Sequence, residues 1–384
     1  MKILHVIGSL RLANGGPPRI SYGLSKALAG HGHEVTLLTT DLDEYRAEQL
    51  SIRFPNGGSL AVVCPSNGRS LGNEGVELLH GMQMVHLHDI WGLYSTRLAR
   101  ACKRQGIPFV FMPHGALDVW SLKQKWLKKQ VFLTLLGRRT LESANAYHLG
   151  NQEEVDGIRR AHLTGRYFVL PNGVDPLEWQ ELPASGTFRS AYPEIGDKLL
   201  VVFLARLHHK KGPDLLARAF IALANRFPNT FLVLAGPDEG LKPVVEGLLA
   251  EAGLQARSLV PGLLIGEQRA ALLRDADIYV LPSHQEGHPM SVVEAAFVGK
   301  TLLITPECHC SELKPGLAAE VVADNEDSVT RGLERLLTDG AYRTELAKRA
   351  REVAAETYIW PRIAERLLVE YAAIQAGGGC LHSL

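Results

Sequence analysis

Short apolar runs alternate with longer amphipathic stretches through the first half of the chain: KILHVIG, EVTLLTT, MVHLHD, PFVFMPH and AYHLG, with residues 20–30 at helical period between the first two. This strand-helix-strand rhythm predicts a parallel sheet with right-handed crossovers, so the first half reads as a Rossmann-like domain. The rhythm pauses in VLPNGVDPLEWQELPASG, rich in Pro, Gly and Asp, which places a linker within residues 172–186. It resumes in LLVVFLA, TFLVLAG, RSLVPGL, DIYVLPS and TLLITP, separated by helices such as 213–227. The expected architecture is α/β with two domains, 1–172 and 173–358. Residues 341–375 read as helix except at YIWPR, where Pro361 removes an amide donor and biases Trp360 away from helix. The last segment, 359–384, either finishes the second domain or crosses back to the first.

Composition narrows the class. With 384 residues, 46% of them hydrophobic and 21% charged, the chain is long enough for two packed cores. Lys plus Arg and Asp plus Glu balance at 41 each, so no global field argues for nucleic acid. Five scattered cysteines, Cys64, Cys102, Cys308, Cys310 and Cys380, fit reduced thiols and a cytoplasmic location. The opening MKILHVIGSL breaks at Gly8 and runs into a Gly-rich loop, which reads as a first strand rather than a signal peptide. No run approaches the ~20 apolar residues of a membrane-spanning helix, so membrane contact would be peripheral. The candidate for it is 119–141, with six basic residues and no carboxylate between Asp118 and Glu142. Leu122, Trp126, Leu133 and Leu136 follow helical spacing there, with Lys129 intruding; such a segment can rest on anionic lipid, although its second half, apolar all round, also suits burial.

Three stretches carry candidate chemistry. After the first strand, SLRLANGGPPRI offers the amides of Gly15 and Gly16 to a phosphate at a helix start, without the G-x-G-x-x-G spacing. In FLARLHHKKGPDLL, Arg206 and, five residues on, Lys211 precede Gly212 and a helix entry at Pro213; a guanidinium and an ammonium after a strand can clamp a diphosphate. In EGHPMSVVEA, Glu286 and Glu294 flank Gly287, His288 and Pro289, and Pro289 marks the expected first residue of a helix running to Gly299. The two acids can bracket one polyhydroxylated, phosphorylated molecule.

These residues resemble the retaining GT-B glycosyltransferases of family 4, the group 1 glycosyltransferases. Their Glu-x7-Glu matches Glu286 and Glu294, and their Arg-x4-Lys-Gly matches Arg206, Lys211 and Gly212. PHGALDVW, HLHDIWG, NQEEVDGIRRAH and LPNGVD are also similar to that family, so the likeness spans nearly the whole chain. It implies two Rossmann-like domains facing each other across a cleft, the second binding a UDP- or GDP-sugar. Glu294 would hold ribose hydroxyls, Arg206 and Lys211 the diphosphate, and Glu286 with the amides around His288, Pro289, Met290 and Ser291 the sugar. The base would lie by Gly262, Leu263 and Leu264; Gly15 and Gly16 would close over the phosphates, and His114 would stand beside sugar and acceptor. The acceptor would be a saccharide hydroxyl, lipid-linked, at the inner face of a membrane. Two positions depart from the family: Ala205 stands before the arginine where glycine is usual, and Glu-Gly-His-Pro replaces Glu-Gly-Phe-Gly.

Metal is not expected as a cofactor. Asp41-Leu-Asp43 and Asp275-Ala-Asp277 match Asp-x-Asp. Cys308-His309-Cys310 and His208-His209 lack structural-zinc spacing, and His86 with His88 reads as packed or cleft-lining. Two rival functions are a glycoside hydrolase using the two glutamates as acid and nucleophile, and a sugar-nucleotide-binding protein without turnover.

Overall fold

The computed structural model describes residues 1–11, 14–42, 47–65, 70–118, 121, 126–377 and 382–383. The chain forms two compact units, Met1–Gly173 together with Trp360–Leu384, and Val174–Ile359.

The first unit is built on β1 (Lys2–Val6), β2 (Glu34–Leu38), β3 (Ser51–Arg53), β4 (Ser59–Val63), β5 (Met84–Leu87), β6 (Phe109–Phe111), β7 (Ala146–Leu149) and β8 (Arg166–Val169). They lie in the order β8-β7-β6-β5-β1-β2-β4-β3. All neighbours are parallel except β3, which pairs antiparallel with β4 at the edge. A last short strand, His382–Ser383, adds antiparallel to β8. Strands β3, β4 and β8 lie outside the apolar runs read from the sequence; β3 is a short edge strand joined to β4 by a Pro-Asn-Gly-Gly turn, and β8 sits against the Pro-Gly pause.

The helix Trp360–Gln375 belongs to this unit and packs on the helix Gly16–Gly30. Contact is closest at Gly23, where a Cβ would lie 2.2 Å from Nε1 of the Trp360 indole. The tail breaks at Tyr358 and Ile359, and Trp360 opens the new helix instead of being excluded from it. Pro361 then sits in the first turn, where its missing amide is not needed.

The second unit holds β9 (Leu199–Leu204), β10 (Thr230–Ala235), β11 (Ser258–Gly262), β12 (Ile278–Leu281), β13 (Thr301–Ile304) and β14 (Glu320–Val321), in the order β11-β10-β9-β12-β13-β14 and parallel throughout. Every residue of β10 is buried, as a parallel strand covered on both faces requires. Val174 and Trp179 are part of this core, so most of the stretch expected as linker is second-unit structure. The Val174 amide donates to the Tyr358 carbonyl at 2.8 Å, so the chain enters and leaves this unit side by side.

Each sheet contains a reversal in strand order. In the second, β10 and β11 build outward from β9 on one side and β12 adds on the other; in the first, β2 and β5 flank β1. Loops leaving the carboxyl ends of strands at such a reversal form the crevice where open α/β sheets bind ligands. Arg206 and Lys211 follow β9, Glu286 follows β12, Gly15 and Gly16 follow β1, and His88 follows β5.

Candidate active site

In the second unit the loops after β9 and β12 are tied together. Gly212 has φ 65°, and a Cβ there would lie 2.3 Å from the Pro282 carbonyl oxygen, so only glycine permits the approach. The Lys210 carbonyl accepts from the Ser283 hydroxyl at 2.7 Å and from the His284 amide at 2.8 Å. This contact brings Lys211 Nζ to 2.5 Å from Glu286 Oε2, with side chains only 13% and 7% exposed. Ser283 Oγ also lies 3.0 Å from Glu286 Oε1, its single hydroxyl hydrogen shared between the two acceptors, and the Thr305 hydroxyl donates to the Ser283 carbonyl at 2.6 Å. Lys211 and Glu286, assigned separately to diphosphate and sugar from the sequence, are thus one buried ion pair.

Arg206 is more open. Its Nη1 donates to both carboxylate oxygens of Glu239, at 2.7 and 2.8 Å, with side chains 42% and 37% exposed. Glu294 lies in the helix Met290–Phe297, 2% exposed, and accepts from Arg269 Nη1 at 2.6 Å. Arg269, on the helix Gly266–Asp275, also lies over the Trp179 ring at 5.2 Å and reaches Glu178 at 3.4 Å. Pro289 caps the Met290–Phe297 helix rather than opening it, and the helix ends at Phe297, two residues before Gly299, whose φ is 78°. Ser291 accepts from the Tyr279 hydroxyl at 2.7 Å. His288 is buried edge-on to Tyr358, ring centroids 5.2 Å apart, and burial pushes its imidazole down to about 4. Gly262 ends β11 with φ 83°; Leu263 is half exposed and Leu264 buried.

In the first unit Gly15, φ 89°, caps the helix Gly16–Gly30, with two prolines in its first turn. His114 is left-handed, φ 53°, a conformation uncommon outside glycine and frequent at functional sites. The turn is held by Glu154, whose carboxylate accepts from the Gly115 amide and, at 2.6 Å, from the Gly150 amide. Asn151 caps the same helix, Gln152–Arg160, by accepting from the Glu154 amide at 2.9 Å. The NQEE segment therefore shapes the His114 loop.

Behind His114 lies a group of buried imidazoles. His114 Nε2 and His88 Nδ1 are 3.0 Å apart, His88 Nε2 and His5 Nδ1 2.9 Å, and His86 Nδ1 and the Tyr371 hydroxyl 2.6 Å. Burial holds His5 and His114 at about 3 and His148 at about 4, with His86 and His88 also well below the usual range. All five rings are neutral at physiological pH. The ligand atoms of His5, His86 and His88 lie within 4.8 Å of one another, but both His88 nitrogens are committed to ring-ring contacts.

Other motifs have structural work. Asp275 accepts the amides of Gly186, Phe188 and Arg189, and Asp277 accepts Arg189 Nη2 and the Leu200 amide. Asp41 accepts the Leu10 amide and pairs with Arg11, while Asp43 and Cys380 lie outside the described residues. Cys308 and Cys310 are buried free thiols, pushed up by burial, Cys308 to about 12. Glu239, Arg269, Ser283, Glu154 and His5 escaped the sequence reading as site residues, although His5, Glu154 and Ser283 lay inside the stretches KILHVIG, NQEEVDGIRRAH and DIYVLPS.

Two α/β units with parallel sheets, each placing polar loops at its strand reversal, are the architecture of a GT-B glycosyltransferase. Anabaena HepE, solved in complex with UDP and glucose, superposes with a TM-score of 0.78 at 17% identity, over 97% of this chain and 100% of that one. The family models "Glycosyl transferases group 1" and "Glycosyltransferase Family 4" match residues 185–353 and 14–177. The chain belongs to the group 1 glycosyltransferases. It is 25% identical to an uncharacterized glycosyltransferase of Methanocaldococcus jannaschii, over 92% of this chain and 95% of that protein. It is also 22% identical to one component of the human phosphatidylinositol N-acetylglucosaminyltransferase, over 92% and 72% respectively.

Proposed function

We propose that the protein transfers a hexose from a UDP- or GDP-sugar to a hydroxyl of a lipid-linked saccharide, with retention at the anomeric carbon and without a metal ion. The observation that carries this reading is the joined pair of loops at the β9/β12 reversal, which buries Lys211 against Glu286 and carries Arg206 on the same β9 loop. Arg206 and Lys211 neutralise the diphosphate as the bond from the anomeric carbon to phosphate oxygen breaks, and its electron pair leaves with the phosphate. The acceptor oxygen bonds to the same face of that carbon, and its proton passes to a phosphate oxygen. Glu286, fixed by Lys211 and Ser283, faces the sugar, and Glu294, oriented by Arg269, accepts from the ribose hydroxyls. Gly15 and Gly16 approach the phosphates, His114 the sugar, and Gly262, Leu263 and Leu264 the base.

Support for a UDP-sugar comes from HepE, solved with UDP-glucose; support for a lipid acceptor comes from the phosphatidylinositol named in the human relative. The helix Trp126–Phe132 adds a surface of the right kind. Trp126, Leu127 and Val131 are 60%, 62% and 49% exposed beside the exposed Lys128, an arrangement suited to an anionic lipid face. Among the described residues no helix is long and apolar enough to cross a membrane.

Calorimetric titration of Glu294→Gln and Glu286→Gln with nucleoside diphosphate, beside transfer rates in EDTA, tests the assignment. Glu294→Gln weakens the nucleotide; Glu286→Gln leaves its affinity nearly intact while transfer falls. Equal loss of affinity in both removes the division of roles, and activity abolished by EDTA and restored by magnesium or manganese removes the metal-free mechanism.

A further inference from the structure

We infer that Glu239 is an internal competitor for the diphosphate: its carboxylate occupies Arg206 in the empty enzyme, yields it to the donor, and takes it back as the product leaves. This rests on the reading that Arg206 holds the diphosphate.

The two cations of the clamp are held in different ways. Lys211 and Glu286 are nearly buried at 2.5 Å, with Ser283 supporting the carboxylate. Arg206 meets Glu239 through one terminal nitrogen shared between both oxygens, in a half-exposed setting. That is not the two-nitrogen fork that makes guanidinium–carboxylate pairs strong, and solvent screens it. Such a pair exchanges readily for an anion of higher charge.

The backbone keeps the competitor in place. The Glu239 amide donates to the Leu207 carbonyl at 3.2 Å, and the Leu207 amide to the Pro237 carbonyl at 2.9 Å. Asp238 accepts from the amides of Gly240 and Lys242 at 2.8 and 3.0 Å, closing the turn. Gly236, φ 151°, lies so close to Ala205 that a Cβ would fall 1.8 Å from its carbonyl oxygen. The loops after β9 and β10 are therefore zipped together, and only the Glu239 side chain needs to turn away. A diphosphate brings at least two negative charges toward Arg206, so the displaced carboxylate is repelled as well as replaced. When the nucleoside diphosphate departs, the carboxylate is already within reach of the guanidinium and opposes rebinding.

The test titrates UDP and GDP into the full chain. Glu239→Gln is expected to tighten whichever nucleotide binds by about two- to fivefold, the range for exchanging an exposed ion pair, and to slow its dissociation in stopped flow. A structural role would weaken binding instead. Glu246→Gln, which removes the same charge from a pair with Lys242, leaves affinity unchanged. In an Arg206→Ala background Glu239→Gln has no effect, and uridine or guanosine without phosphate gains nothing from it. Unchanged or weaker nucleotide affinity in Glu239→Gln overturns the proposal, as does an equal gain in Glu246→Gln or a gain that survives loss of Arg206. If Arg206→Ala binds nucleotide like the wild type, the clamp itself falls; if Arg206→Ala is weakened and Glu239→Gln is not improved, only the competitor falls.

Discussion

Acidification should unfold the first unit well before the second. His5, His86, His88, His114 and His148 are held neutral by burial, two of them at about 3 and one at about 4. Once unfolded, each titrates near the ordinary histidine value of ~6.5. Above that value neither state binds these protons, and the full stability is present. Below it the unfolded chain takes up protons that the fold refuses, and stability is lost as pH falls toward about 3 to 4. Each ring contributes ~1.4 kcal/mol per pH unit in this window, so five together remove about 7 kcal/mol by pH ~5.5. A domain's whole stability is typically ~5–15 kcal/mol, so this loss unfolds the unit or leaves it close to unfolding. In the second unit His288 is the one deeply buried histidine held down this way, worth roughly 1.4 kcal/mol over the same interval. Pulse-labelling hydrogen exchange at fixed pH, after equilibration between pH ~7.5 and ~5, separates peptides of Met1–Gly173 from those of Val174–Ile359. Loss of protection in both at one pH, or in the second first, would refute the reasoning. His148→Phe, which removes one titrating ring beside Phe168, should flatten the pH dependence by about one ring's share.

Two further outcomes follow from the site. Arg269→Met leaves Glu294 buried without its cation and should cost about 3–5 kcal/mol, seen by scanning calorimetry as a fall in Tm of roughly 6–20 °C. Arg269→Met combined with Glu294→Leu should recover most of it, and a double variant no more stable than the single would contradict the assigned pairing. Trp126→Asp and Leu127→Asp should each weaken flotation with phosphatidylglycerol vesicles by about tenfold or more, the scale of withdrawing one large apolar side chain; unchanged flotation would remove that surface from consideration.

The alternation of apolar runs announced both sheets, because parallel strands covered on two faces must be apolar throughout, as β10 is. Edge strands carry no such requirement, which is why β3 and the short His382–Ser383 strand were not legible. The motif residues were legible as a set, and Gly212 explains one of them physically: its left-handed backbone and lack of a side chain let two loops touch. Their partners were not. Arg269 sits in GEQRAALLRD, a segment that reads as an ordinary exposed helix face; its burial against Glu294 and Trp179 arises only when distant segments pack. His5, His86 and His148 stand on β1, β5 and β7, far apart in sequence, with His88 just past β5, and parallel register alone puts His5 opposite His86.

The return of the last helix to the first unit reverses the usual order of events on the ribosome. Residues 1–173 are synthesised first, yet their helix at Gly16–Gly30 lacks its packing partner and His86 lacks the Tyr371 hydroxyl until the final segment emerges. At ~5–20 residues per second that wait lasts roughly 10–40 s. During it the middle unit, whose two ends meet at Val174 and Tyr358, has everything it needs to fold. The half made first is the half completed last, and a nascent chain interrupted near its end would carry a finished second unit attached to an unfinished first one.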